Sequence, residues 1–440
     1  MRSGTGRSES ENYRAAARRP LWAIFLGSGV LVVLLAGLCR VSGLDLGLGP
    51  APVIVQTLPV TTPLCGTWHT TSTARVYDGG LNAIATLSGT DVWTVGVDQN
   101  APLIQHWNGI RWQTIASGAP SDARLMAIAG TRADDLWAAG YTDSNGQGHS
   151  TVVHWDGHKW QRSAVPQTGE RGSMLLGLTA TSPTDVWAVG RYTSLNDGLL
   201  HPLILHWNGN QWSRSGTTDL PPSIGSLHAV VALAADNVWA VGSTQTQIQL
   251  TTLGRQYPVS GSASYIVHWD GTRWTRVASP NPGYAENELL SVVAGAGGQL
   301  WALGSYSNDA SGNRASTLAL RWKGGAWERV PSPDGNPQSS NSLNSAVVVG
   351  PNDVWAVGEH RGTNGFGVRA LILHWDGSTW SLVPRPEPQS NQSLNGITTI
   401  PGQGLWAVGW STAKDGIQFT MLARFLPGFC SSPPPTLYPD

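Results

Sequence analysis

One tryptophan motif returns seven times along the 440-residue chain and limits its fold more than any other feature. It reads Asp-Val-Trp-Ala-Val-Gly at Asp185–Gly190 and Asp353–Gly358. Variants stand at Asp91–Gly96, Asp135–Gly140, Asn237–Gly242, Gln299–Gly304 and Gly404–Gly409. The motif tryptophans, Trp93, Trp137, Trp187, Trp239, Trp301, Trp355 and Trp406, are 44, 50, 52, 62, 54 and 51 residues apart. A period of this length marks an array of supersecondary units that bury their faces against one another. Composition agrees, since the 22 Trp outnumber the 9 Tyr and 5 Phe together, as when one structural position is copied.

Two further signatures complete the unit. His-Trp-Asp/Asn-Gly-x-x-Trp stands at His106–Trp112, His154–Trp160, His206–Trp212, His268–Trp274 and His374–Trp380, and as Arg321-Trp322-Lys323-Gly324 ending in Trp327. Asn-Gly or Asp-Gly between apolar runs predicts a tight hairpin, here a type I′ turn with both central residues at positive φ. Ten residues before each Asp position the chain reads Leu-x-small-apolar, as in Leu81-Asn82-Ala83-Ile84. The small residues are Ala83, Ala127, Gly177, Ala229, Ser291, Ser345 and Gly396, which suits a strand crowded around an axis. Each unit therefore has four strands, a to d, and seven such units predict an all-β, seven-bladed β-propeller.

The seventh unit lacks a d strand, because Arg424-Phe425 replaces His-Trp and no further Trp follows. From a d-strand Trp to the next b-strand Trp the spacing is 25 to 28 residues, and Trp68 stands 25 before Trp93. Trp68 is thus expected to supply the outer strand of blade seven, which removes the open edge. Cys65 and Cys430 flank that seam and are expected to form a disulfide. It closes a loop of about 365 residues, for which chain entropy gives roughly 5–6 kcal/mol.

Residues 1–20 carry five arginines, and residues 21–39 then run uncharged to Arg40. At about 1.5 Å per residue this run spans a hydrocarbon core as one helix. The arginines place the N-terminus in the cytoplasm and the bulk of the chain outside, as a single-pass cell-membrane protein. No A-x-A site follows and the run exceeds a signal-peptide core, so the segment is expected to remain as an anchor. Residues 40–63 read as a Gly/Pro-rich tether, 64–430 as the propeller and 431–440 as a Pro-rich tail.

The period, the Gly-ended strand Trp187-Ala188-Val189-Gly190 and the aromatic-Asp-x-x-x-Trp hairpin resemble the kelch-like propellers, including the central domain of galactose oxidase. The likeness covers about residues 65–430. Kelch units usually carry paired Gly and a Tyr where Gly190 and Trp207 stand. The copper chemistry of galactose oxidase does not carry over, since its Tyr–Cys cross-link needs a propeller cysteine and none lies between Cys65 and Cys430.

The same repeat logic sorts the candidate sites. His106, His154, His206, His268 and His374 occupy one position in separate blades, so they cannot converge on a metal ion. They are expected to bond backbone, while the repeated Asp caps the a–b turn. No cofactor is expected, and a net charge of −1 gives no nucleic-acid footprint. Function is expected where blades differ, in the b–c and d–a connections on one face of the disc. The longest b–c connection, 243–264, holds Arg255 and Tyr257; others offer Arg191 and His360. Tyr141, Tyr192, Tyr306 and Trp410 recur at the exit of strand b and suit sugar stacking, against ordinary rim packing. These features point to a monomeric, non-enzymatic module that binds a protein or glycan. The rivals are an extracytoplasmic carbohydrate hydrolase or lyase and a purely structural surface protein.

Overall fold

The computed structural model describes residues 66–71, 73 and 78–427, except 143–147, 167–169, 217–223, 253–254, 310–313, 363–366, 387–390 and 414–415; at 170, 249–252, 255–259 and 427 it describes backbone alone. The chain parts into residues 1–60 and 61–440, and the described residues belong to the second unit. The expected membrane segment 21–39, Cys65 and Cys430 lie outside the described residues. Among the described residues no helix is long and apolar enough to cross a membrane.

The described strands form seven antiparallel sheets of four strands each. Every strand a touches the a strands of both neighbouring sheets, so the sheets close into a ring with strand a innermost. The protein is a seven-bladed β-propeller. Strand b is buried almost continuously, as in Asp353–Arg361, because adjacent blades cover both faces of the sheet. The b strands are correspondingly rich in Val and Trp, which fit a pleated, covered surface.

Six blades take their strands in chain order. Blade seven combines Asn391–Ile400, Gly404–Thr412 and Gln418–Pro427 with Gly66–Thr71 from the other end of the chain. Trp68 pairs with Phe425 in a register running from Gly66↔Pro427 to Thr71↔Leu422. The seam therefore closes as the Trp68 spacing predicts.

Strand a bends by a β-bulge at the same place in every blade, as between Leu81 and Ala83 or Leu343 and Ser345. The bulge carries a strand-a carbonyl over the motif glycine of strand b. A Cβ on Gly190 would lie inside van der Waals distance of the Met174 oxygen, and Gly358 faces Ser342 in the same way. Space, not dihedral freedom, requires these glycines. The small strand-a residues meet across the blade gap, where a Cβ on Gly177 would come 2.9 Å from the Ala229 Cα.

The c–d hairpin differs from the type I′ expectation. Trp107 pairs with Trp112, leaving a four-residue loop. Only its glycine has positive φ, +89° at Gly109. The Asn108 Oδ1 accepts from the backbone N–H groups of Ile110 and Arg111, both at 3.0 Å. Asp156, Asn208, Asp270 and Asp376 do the same. This Asx-turn closes the loop with one left-handed residue, the glycine.

Tryptophans join the blades. The b-strand Trp93 packs on Trp155 and Trp160 of the next blade, at centroid distances of 5.0 and 5.7 Å. Equivalent clusters recur around the ring, through Trp406 with Trp107 and Trp112. At the seam Trp355 meets Phe425 and Trp68, at 4.7 and 6.0 Å. Tilted and edge-to-face geometries of this kind add to the apolar burial.

Candidate functional site

The repeated polar side chains are absorbed by the scaffold, with partners other than those expected. The Asp91 Oδ1 accepts from the Trp93 indole N–H (2.7 Å) and sits 2.8 Å from the His106 Nε2. The imidazole also stacks on that indole, with centroids 4.1 Å apart. Blades three, four and six repeat the arrangement around Asp185, Asn237 and Asp353; blade two keeps the Asp135–His154 contact. These histidines bond a side chain of strand b, not backbone, because strand pairing sets them opposite the motif Trp. Where neither Asp nor Asn stands at the motif's first position, at Gln299 and Gly404, the histidine is replaced by Arg321 and Arg424. Their guanidinium carbons lie 5.5 and 4.9 Å from the Trp301 and Trp406 ring centres.

The a–b and c–d turns pack together on one face, where a Cβ on Gly109 would touch Thr90 and one on Gly209 would touch Thr184. The opposite face carries the b–c and d–a connections. Among the described residues its largest departure from sevenfold repetition is in blade four. The expected 243–264 loop is instead a continued hairpin: Asn237–Thr252 pairs with Arg255–Trp269 from Val238↔Trp269 to Thr252↔Arg255. In blade three the pairing ends at Thr193↔Leu200, three residues past the motif glycine; in blade four it ends ten past. Seven extra pairs extend the arm by about 23 Å at 3.3 Å per residue. Asn287 anchors its base, donating its amide N–H to the Ser262 carbonyl (3.1 Å). Arg255 and Tyr257 lie near the arm's tip, where the backbone alone is described.

The four expected aromatics do not form one rim. Tyr141 and Trp410 immediately follow the motif glycine, whereas Tyr192 and Tyr306 stand one residue later. Alternation along a strand puts the two pairs on opposite sheet faces. The Arg214 guanidinium lies over Tyr192 at 4.0 Å, and Arg329 donates to the Tyr306 hydroxyl at 2.7 Å. These two tyrosines are therefore in rim packing. His360 is 2% exposed, packed beneath Gly335, with its Nδ1 3.0 Å from the Arg361 carbonyl oxygen.

Arg191 is placed differently. It directly follows Gly190 in blade three, matching Tyr141 in blade two and Trp410 in blade seven. It comes within electrostatic reach of His228 on strand a of blade four and Glu288 on strand a of blade five. The His228 Nδ1 lies 3.4 Å from the Glu288 Oε1. His228 occupies the bulge, between Leu227 and Ala229. Its pKa is lowered from 6.5 to about 4, first by burial and then by the Arg191 charge, so the imidazole is neutral at pH 7. Burial and the nearby Glu286 push Glu288 up, while Arg191 pulls it down. The three residues belong to three blades and are 37 and 60 positions apart, so no spacing motif links them. The available sequence signal was local: His228 stands where blades one, six and seven have Asn82, Asn344 and Asn395. Those asparagines donate to the next blade's carbonyls, at Leu125, Leu394 and Leu81, with distances of 2.8, 3.1 and 3.0 Å.

No family profile and no curated protein sequence matches the chain. Solved structures do match. An ulvan lyase from a new polysaccharide lyase family aligns at 13% identity and TM-score 0.51, over 78% of this chain and 93% of that one. YCF48 bound to a D1 peptide aligns at 14% identity and TM-score 0.47, over 80% and 96%. A Trypanosoma rangeli sialidase in complex with sialic acid aligns at 12% identity and TM-score 0.44, over 71% and 55%. At these identities the ulvan lyase likeness shows the propeller fold, and none of these three structures carries the kelch or galactose-oxidase assignment.

Proposed function

We propose that the chain is a non-enzymatic binding module, held outside the cell by residues 21–39, that takes its partner on the face carrying the blade-four arm. The arm is the observation that carries this reading. Among the described residues, six blades end their b–c pairing two or three residues past the motif glycine, while one extends a paired hairpin about 23 Å further. A paired arm on that face can enclose a ligand without building a catalytic pair. Glu286 and Glu288 stand two residues apart on one strand, so they flank the same side of any substrate. A glycosidase needs its two carboxyls across the scissile bond. The kelch-like ancestry, the single-pass topology, the Cys65–Cys430 bond and the monomeric state belong to the same proposal.

The test uses the full chain in detergent micelles. Residues 248–259 are replaced by Asn-Gly, which joins the paired residues Gln247 and Ser260 by a two-residue turn. Wild type and the shortened variant are screened against glycans and secreted proteins. The proposal predicts that wild-type ligands lose at least about tenfold affinity on shortening, while the melting temperature holds. Equal binding by both proteins contradicts it.

A further inference from the structure

Arg191, His228 and Glu288 bring a cation, a neutral base and a half-buried carboxyl together from three consecutive blades. Among the described residues Arg191 donates only to the Met174 sulfur, at 3.6 Å, a weak acceptor. Its planar fork matches a carboxylate through two parallel hydrogen bonds. Tyr141 holds the equivalent strand position in the adjacent blade, so an aromatic and a guanidinium occupy successive copies of one repeat position. A sugar acid presents an apolar ring face and a carboxylate to match.

We propose that this cluster binds a uronate residue of an acidic glycan, with Arg191 holding the carboxylate, Tyr141 stacking on the ring, and His228 with Glu288 taking up a proton as the anion enters. The inference rests on the binding-module reading and names the ligand class for its face.

The proton follows from charge. Arg191 and Glu288 offset each other, His228 is neutral, and Glu286 adds a negative charge nearby. An incoming carboxylate adds another negative charge beside Glu288. It raises the proton affinity of both His228 and Glu288, so binding strengthens as pH falls. The other charged groups on strands packed against His228 do not reverse this. Blade three's strand a carries Glu170 and Arg171 at its start. On its strands b and c, Asp185 pairs with His206, and His201 pairs with Asp197. Blade four's own strand b, Asn237–Thr252, carries no titratable residue.

The test is titration calorimetry of the full chain in micelles with tri-galacturonate, at pH 7 and pH 5, in two buffers of different ionisation enthalpy. Affinity is expected to rise about three- to tenfold at pH 5, with net proton uptake. Arg191→Ala is expected to lose more than tenfold, and Arg191→Lys most of that. His228→Gln should keep binding at pH 7 but flatten the pH slope. Unchanged melting curves separate these losses from misfolding. Equal binding of a neutral galactose trimer, equal binding of oligo-glutamate, an unaffected Arg191→Ala, or no heat at pH 5 overturns the proposal. If such a result accompanies arm-dependent capture of another ligand, the uronate assignment falls and the binding-module reading stands. If uronate binds and shortening the arm changes nothing, the reverse holds.

Discussion

Single residues in this propeller are constrained by where the bulge and the blade gap put neighbouring atoms. Gly190 has room for no Cβ under the Met174 carbonyl. Gly190→Ala is therefore expected to cost about 1–3 kcal/mol or more through forced backbone shift, read by denaturant unfolding. The polar partners of the b-strand Trp vary together within the molecule: Asp or Asn with His, Gln or Gly with Arg. The Trp301 indole nitrogen is buried without an acceptor among the described residues, beside Gln299 and Arg321. A double-mutant cycle of Gln299→Asp and Arg321→His should show favourable coupling of about 0.5–3 kcal/mol, since only the pair restores the blade-three arrangement. Additive effects would contradict the shared role. His228 gives a pH signature. Its folded pKa, about 4, lies below the ordinary 6.5. The unfolded chain then binds more protons between those values, so stability is full above pH 6.5 and falls toward pH 4. The loss reaches up to about 3 kcal/mol. Glu288, pushed up, acts in the opposite sense as pH rises above its ordinary 4.5. His228→Gln should flatten the acid limb of a melting-temperature profile; an unchanged slope contradicts burial of the neutral imidazole.

At the scale of elements, the repeated strands were legible and the exceptional one was not. The Leu-x-small start, the Trp-Ala-Val-Gly strand and the paired tryptophans each mark a strand because they recur at fixed offsets. Residues 243–264 do not recur, and their Thr, Gln and Ser resemble a loop in composition. Only backbone pairing shows that they form two strands. The hairpin's turn type is hidden for a related reason: Asn-Gly signals a turn, but the distance between the flanking Trp residues sets a four-residue loop. The Arg191–His228–Glu288 cluster was legible only in part, since contacts between blades leave no spacing in the chain. The arm adds little to the core it grows from. Replacing residues 248–259 with Asn-Gly is expected to leave the melting temperature within about 4 °C. A larger fall would show that the arm packs against more than the strand that carries Asn287.

Across the whole molecule, stability depends on closing a ring whose ends are far apart in sequence. Trp68 is 6% exposed and fills the last gap between Trp355 and Phe425. Trp68→Ala is expected to cost about 3–5 kcal/mol, comparable with a b-strand Trp, as measured by urea unfolding. The same closure groups the b–c and d–a connections on one face, because the ring fixes which turns lie together. The most direct measurement is disulfide trapping of the seam in a full chain whose three native cysteines are changed to Ser. Thr67 lies opposite Leu426 and both are exposed, whereas His69 lies opposite Arg424. The closed ring predicts that Thr67→Cys with Leu426→Cys oxidises readily to a faster-migrating species, while His69→Cys with Leu426→Cys does not. Failure of the first pair, or equal trapping of both, would contradict a propeller sealed by its N-terminal strand.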